Sequence, residues 1–92
     1  MSVTLAEAKA QLRVRHDEQD DYITLLINAA RGAIERYTGD NFDESLDDLK
    51  AAQLLYIEYL FYPPDKIDMD EITGWPLSVA ALARPYRLPT LA

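Results

Sequence analysis

The side chains that could do chemistry are few in this chain, and their spacing argues against an active site. His16 is the only histidine, and it sits among Arg15, Asp17 and Glu18. A general base needs a nucleophile within reach and a third group to orient it, and neither can be named here. The expectation is a solvated turn histidine beside a helix start. The acidic segment with Asp65, Asp68, Asp70 and Glu71 suggests a cation loop. A calcium loop, however, needs oxygen ligands at its first, third and fifth positions and glycine at its sixth. Counting from Asp68, the fifth position is Ile72 and the sixth Thr73. A solvated acidic loop is the better reading. Gly32, Gly39 and Gly74 are too far apart for a phosphate-binding or dinucleotide fingerprint. There is no cysteine, hence no disulfide framework, thiolate metal site or thiol nucleophile. No catalytic, cofactor-binding or metal residue is nominated, and the chain is expected not to be an enzyme.

Charge narrows the partners. Sixteen acidic against nine basic side chains give a formal net charge of -7, whereas a protein gripping DNA phosphates carries an excess of Lys and Arg. A helix-turn-helix reading of the first two helices fails for a local reason. The second helix would present Asp17, Glu18, Asp20 and Asp21 to the backbone phosphates, at the end that should face DNA. Arg13, Arg15, Arg31 and Arg36 are therefore read as partners for acidic groups within or between subunits.

The elements that position these groups are helices. Thr4-Leu5-Ala6-Glu7 has the form of a capping box, and Leu5, Ala8 and Leu12 continue at helical spacing to a stop near Arg13, before the β-branched Val14. Asp17 is expected to cap a second helix running to Thr38, striped by Ile23, Leu26, Ile27, Ala30, Ile34 and Tyr37, with Gly39 left-handed after its last turn. A polar connection from Asp40 to Asp48 follows, in which Ser45 and Asp48 offer a second capping pair. The third helix, Leu49 to Tyr62, is interrupted only by Lys50, Gln53 and Glu58, and Pro63-Pro64 stops it. Pro76 is placed at the first position of a short final helix that ends near Ala83, before Pro85. The remainder, Tyr86 to Ala92, is expected to be extended or mobile unless another chain holds it.

The fold class is all-α. It is a single domain over residues 1–92, a small bundle of about four helices, two short and two long, with a C-terminal tail over 85–92. With 49% hydrophobic residues the chain is expected to fold. No secretory signal is visible at its start, and the apolar run is too short to span a bilayer. The third helix is apolar on nearly every side, so a domain this small should leave part of it uncovered for another chain. Half or more of Tyr56, Tyr59, Phe61, Tyr62, Trp75 and Tyr86 are expected in the core, and the rest at subunit contacts.

Val3 to Val14 (V-T-L-A-E-A-K-A-Q-L-R-V), Asp20 to Arg31 (D-D-Y-I-T-L-L-I-N-A-A-R) and Ile34 to Gly39 (I-E-R-Y-T-G) resemble the tailed-bacteriophage head-tail connector family. The likeness continues through Leu49-Lys50-Ala51-Ala52 and returns at W-P-L-S-V-A-A-L-A-R-P-Y-R, Trp75 to Arg87. It covers most of the chain, through the order and spacing of its pieces. Two departures stand out: Phe61-Tyr62-Pro63-Pro64-Asp65 at the end of the third helix, where many relatives have an Asn-Arg-containing end, and the shortness of the 40–48 connection.

The resemblance implies a structural adaptor made in the bacterial host cytoplasm and built into the virion neck. Its subunits, about twelve by that likeness, would form a cyclic homo-oligomer under the portal. The ring would extend the DNA channel without binding DNA specifically, help retain packaged DNA, and dock the next neck or tail protein. The candidate interface residues are Arg13, Arg31, Arg36, Tyr56, Tyr59, Phe61, Trp75, Tyr86 and Arg87. No cofactor and no membrane partner are expected. The alternative is a small acidic helical regulator that covers a protein partner.

Overall fold

In the computed structural model, which describes residues 3–43, 45–63, 68–71 and 73–87, the capping box is formed in full. The Glu7 amide donates to Thr4 Oγ1 at 3.1 Å, and the Thr4 amide donates to Glu7 Oε1 at 2.9 Å. It opens α1, Leu5–Leu12. The helix stops where Arg13 turns left-handed (φ 59°, ψ 38°). The amides of Arg13 and Val14 then return to the carbonyls of Ala10 and Lys9. This is a Schellman ending with arginine where glycine is usual, so backbone geometry ends the helix, and the branching of Val14 is not the cause.

The second helix, α2, is Asp20–Thr38, three residues shorter at its start than the sequence suggests. Asp17 does not cap it, because the Asp17 carboxylate is turned back to Lys9 Nζ of α1 at 2.9 Å. Lys9 also holds the Asp20 carboxylate at 2.8 Å, so one lysine ties the first turn of α2 to α1. Thr38, fully buried, donates its hydroxyl to the Ile34 carbonyl. Gly39 then takes φ 57°, ψ -129°. The φ is positive as expected, but this ψ lies outside the left-handed helical region, in a part of backbone space open essentially to glycine alone.

A 3-10 turn, Gly39–Asn41, leads to α3, Asp47–Phe61. The expected Ser45 and Asp48 pair is not made. Ser45 donates its amide and hydroxyl to the Asp43 carboxylate instead, and Asp48 accepts from the Tyr86 hydroxyl at 2.9 Å. Pro63 follows directly after Tyr62, and Pro64 and Asp65 lie outside the described residues. Pro76 precedes rather than begins α4, Leu77–Ala83, and Pro85 does not end the coil there. It sits inside a further 3-10 turn, Arg84–Tyr86. The tail from 88 to 92, including Pro89, lies outside the described residues. Tyr86, where the extended or mobile tail is expected to begin, is instead half-buried in the 3-10 turn and donates its hydroxyl to Asp48. Among the described residues the only strand-like pairing is one isolated bridge, Met69 to Pro76.

The architecture is all-α, and α3 is its axis, in contact with α1, α2 and α4. Leu49, Ala52, Gln53 and Ile57 form its most deeply buried row, at spacings of three and four that place them on one face. Two apolar clusters share it. Ile57 meets Val3, Ala8, Leu12, Ile23, Leu26, Ile27 and Ala30, whereas Leu49 and Ala52 meet Ile34, Trp75, Val79 and Ala83. The sequence-derived stripe of α2 is thus split between both clusters.

Polar contacts lock the same packing. Lys50 pairs with Glu7, Gln11 donates to Glu58, and the Tyr62 hydroxyl donates to the Leu12 carbonyl at 3.1 Å. These three ties rise together along both helices, so α1 and α3 run in the same direction. The acidic segment is not simply solvated. Asp70 is buried and accepts from the Thr73 amide (2.9 Å), the Thr73 hydroxyl (2.8 Å) and Arg84 (2.9 Å), and Gly74 turns the chain at φ 75°. This turn delivers Trp75 to the core.

Candidate assembly surface

The nine candidate interface residues divide by burial. Trp75 is 9% exposed and belongs to the subunit's own core, held edge-on by Tyr37 (centroids 4.9 Å apart) and beside Tyr56 (5.7 Å). Tyr56, Tyr59 and Phe61 are half-buried. Tyr56 and Phe61 pack against the apolar clusters, and Tyr59 stacks beside Tyr56. Tyr86 is half-buried too, and its hydrogen bond to the carboxylate of Asp48 raises its pKa above the usual phenol value.

The arginines are arranged around the outside. Arg13, Arg36 and Arg87 are exposed and form no ion pair among the described residues. Arg31 lies over the Phe42 ring, 5.7 Å from its centroid, a cation–π geometry. Among the described residues, ion pairs are formed by Lys9, Lys50 and Arg84. Hydrogen bonds from Lys50, first, hold Glu7 below the usual carboxylate range, and Lys9 does the same for Asp17. His16 is exposed in the turn before α2, and among the described residues no three His, Asp or Glu side chains are grouped to hold a metal.

Among the described residues, the large apolar side chains that stand exposed are Leu25 (62%), Tyr62 (53%), Tyr22 (47%) and Leu77 (44%). None of them was among the nine. Tyr22 and Leu25 are three apart on α2 and so share a face. The Tyr22 ring lies 6.0 Å from Phe61, which in turn meets Tyr62 edge-on at 4.7 Å. Tyr22, Leu25, Phe61 and Tyr62 therefore make one continuous apolar edge where α2 begins and α3 ends. The sequence did carry a signal for it. Leu25 falls off the Ile23, Leu26, Ile27, Ala30 stripe, and a leucine off the buried stripe of an amphipathic helix faces water unless another chain covers it. Among the described residues no helix is long and apolar enough to cross a membrane.

Comparison with known proteins places that surface in context. No curated protein and no solved structure matches the chain. The phage gp6-like head-tail connector protein family does match, over residues 2–72. The matched span begins just before the α1 capping box and runs through α2 and α3 into the Asp70 turn, leaving α4 and the tail beyond it. An all-α subunit with apolar side chains facing outward suits a part that works by contact. Because the match spans more than half of its 92 residues, the chain belongs to the phage head-tail connector family, and its role is a structural one in the virion neck.

Proposed function

We propose that copies of this chain form a closed ring under the portal, where they extend the DNA channel, help retain packaged DNA and offer a docking surface to the next neck or tail protein. Family membership over residues 2–72 carries this reading. The physical support is the continuous apolar edge of Tyr22, Leu25, Phe61 and Tyr62, together with Leu77 on α4, which one subunit leaves exposed. Ring closure needs a heterologous contact, in which one face meets a different face of the neighbour. The apolar edge at the start of α2 and Leu77 at the start of α4 lie on different elements and can serve as two such faces. Arg13, Arg36 and Arg87, which form no ion pair among the described residues, would then pair with acidic groups across subunit boundaries. The net charge of -7 would let DNA slide through the ring without adhesion.

The test is co-expression with the portal protein of the same phage genome, followed by native mass measurement and electron cryomicroscopy. A ring stacked coaxially on the portal is expected. A chain that never joins the portal, or joins as isolated single copies, refutes the proposal.

A further inference from the structure

The outer side of α2 carries a second seam, separate from its buried stripe. Tyr22, Leu25, Ala29, Gly32 and Arg36 follow one another at intervals of three and four, the a and d spacing of a helix-pairing seam. Tyr22, Leu25, Ala29 and Arg36 are exposed and Gly32 is half-exposed. The seam is bulky and apolar at its start, small in its middle, and cationic at its end. Inside the subunit, among the described residues, a Cβ at Gly32 would meet only the far end of the Arg36 side chain, at 3.3 Å, which would have to move aside. Glycine inside a helix costs stability relative to alanine, so close approach by another backbone is a physical reason for it.

We propose that a second copy of this chain packs antiparallel along this seam, about a two-fold axis near Ala29. In that register Leu25 of each copy enters the hollow over Gly32 of the other. Arg36 of each copy lies across Tyr22 of the other and reaches toward Asp21 beside it, so the seam complements itself in both size and charge. Glu35, next to Arg36, subtracts from that attraction. The seam is about 21 Å long at 1.5 Å per residue. One helix crossing of that length buries less than the roughly 1,200–2,000 Å² of a stable interface. The dimer is therefore weak and exchanging, a form of the free protein that gives way during assembly. It shares Tyr22 and Leu25 with the heterologous contact that would close a ring, so the two exclude each other, and it does not rest on the ring proposal.

Sedimentation of the free full-length chain from micromolar to millimolar concentration tests it. The expected result is a monomer–dimer equilibrium. Leu25→Asp should weaken it at least tenfold while the helical circular dichroism and melting temperature stay unchanged, since Leu25 is 62% exposed. Arg36→Asp should weaken it, and Asp21→Arg added to Arg36→Asp should restore it. Because the chain has no cysteine, Ala29→Cys places a single thiol at the two-fold axis. It should oxidise to a disulfide dimer, which needs Cα atoms within about 7 Å. Three results would overturn the proposal: a monomer at every concentration, a dimer indifferent to Leu25→Asp, or a dimer in which Ala29→Cys fails to cross-link. A monomer whose Leu25→Asp variant fails to join the portal would assign the seam to the portal instead.

Discussion

Gln53 stands on the most buried row of α3, 1% exposed, and its Oε1 has no hydrogen-bond partner among the described residues. A buried polar group without a partner loses its hydration with nothing in return, at a cost of about 1–3 kcal/mol. Gln53→Met keeps the length and unbranched shape of the side chain, and Gln and Met have nearly equal helix propensity, so helix and packing terms largely cancel. What remains is relief of that desolvation, an expected gain of about 1–2 kcal/mol. For a domain of this size each kcal/mol moves the melting temperature by roughly 4–8 °C. Urea unfolding should show a higher midpoint at an unchanged m-value, so that the gain is assigned to the folded state. Gln53→Glu, which adds an unpaired charge at the same place, should move the midpoint down. A Gln53→Met variant no more stable than the parent would refute the reasoning, because it would mean that the amide is satisfied by something its geometry does not reveal, such as an ordered water.

Tyr62→Phe removes the donor to the Leu12 carbonyl and should cost about 0.5–1.5 kcal/mol in chemical unfolding. Asp70→Ala leaves the Thr73 amide, the Thr73 hydroxyl and Arg84 without their shared acceptor. A loss of about 2 kcal/mol is expected, with a change in the tryptophan fluorescence of Trp75, which that turn delivers. Arg13→Gly relieves the left-handed backbone at φ 59° and should stabilise the fold by about 0.5–1 kcal/mol, net of the extra freedom glycine gives the unfolded chain, read as a higher melting temperature. Glu7, Asp17 and Asp43 are held below the ordinary carboxylate range, by Lys50, Lys9 and Ser45 respectively. A depressed carboxylate contributes stability that is present above its unfolded pKa and lost as pH falls through the folded one. Unfolding titrations should therefore show stability declining below about pH 4, and Glu7→Gln should flatten that decline. An unaltered acid slope in Glu7→Gln would remove Glu7 from the account.

The helices were legible because their signals are local. The Thr4 and Glu7 box, the buried stripe of α2 and the stop after Tyr62 each need only neighbours along the chain. The failures are contacts between distant residues. Asp17 looks like a cap until Lys9 of α1 takes its carboxylate, and Ser45 looks like one until Asp43 engages it and Tyr86 claims Asp48. Asp70 looks solvated until Arg84, fourteen positions on, and the Thr73 turn enclose it. In each case a polar side chain had two possible partners, and tertiary packing chose between them.

The same cause explains why part of the outward-facing apolar surface lies on α2, at Tyr22 and Leu25, beside Phe61 and Tyr62 at the end of α3. The reasoning from α3 ran that the most apolar helix should have apolar surface to spare. A helix that is apolar all round is, however, the one that can be packed from several sides, and here α1, α2 and α4 all lie against it. Its aromatic residues Tyr56, Tyr59 and Phe61 are half-buried, not bare. The helix at the edge is α2, buried along one stripe, and an apolar residue off that stripe lies toward solvent. Leu25 at 62% exposed and Tyr22 at 47% are those residues. In so small a domain, what remains for other chains is therefore set by which helix lies at the rim and by which of its residues break the stripe, more than by which helix is greasiest.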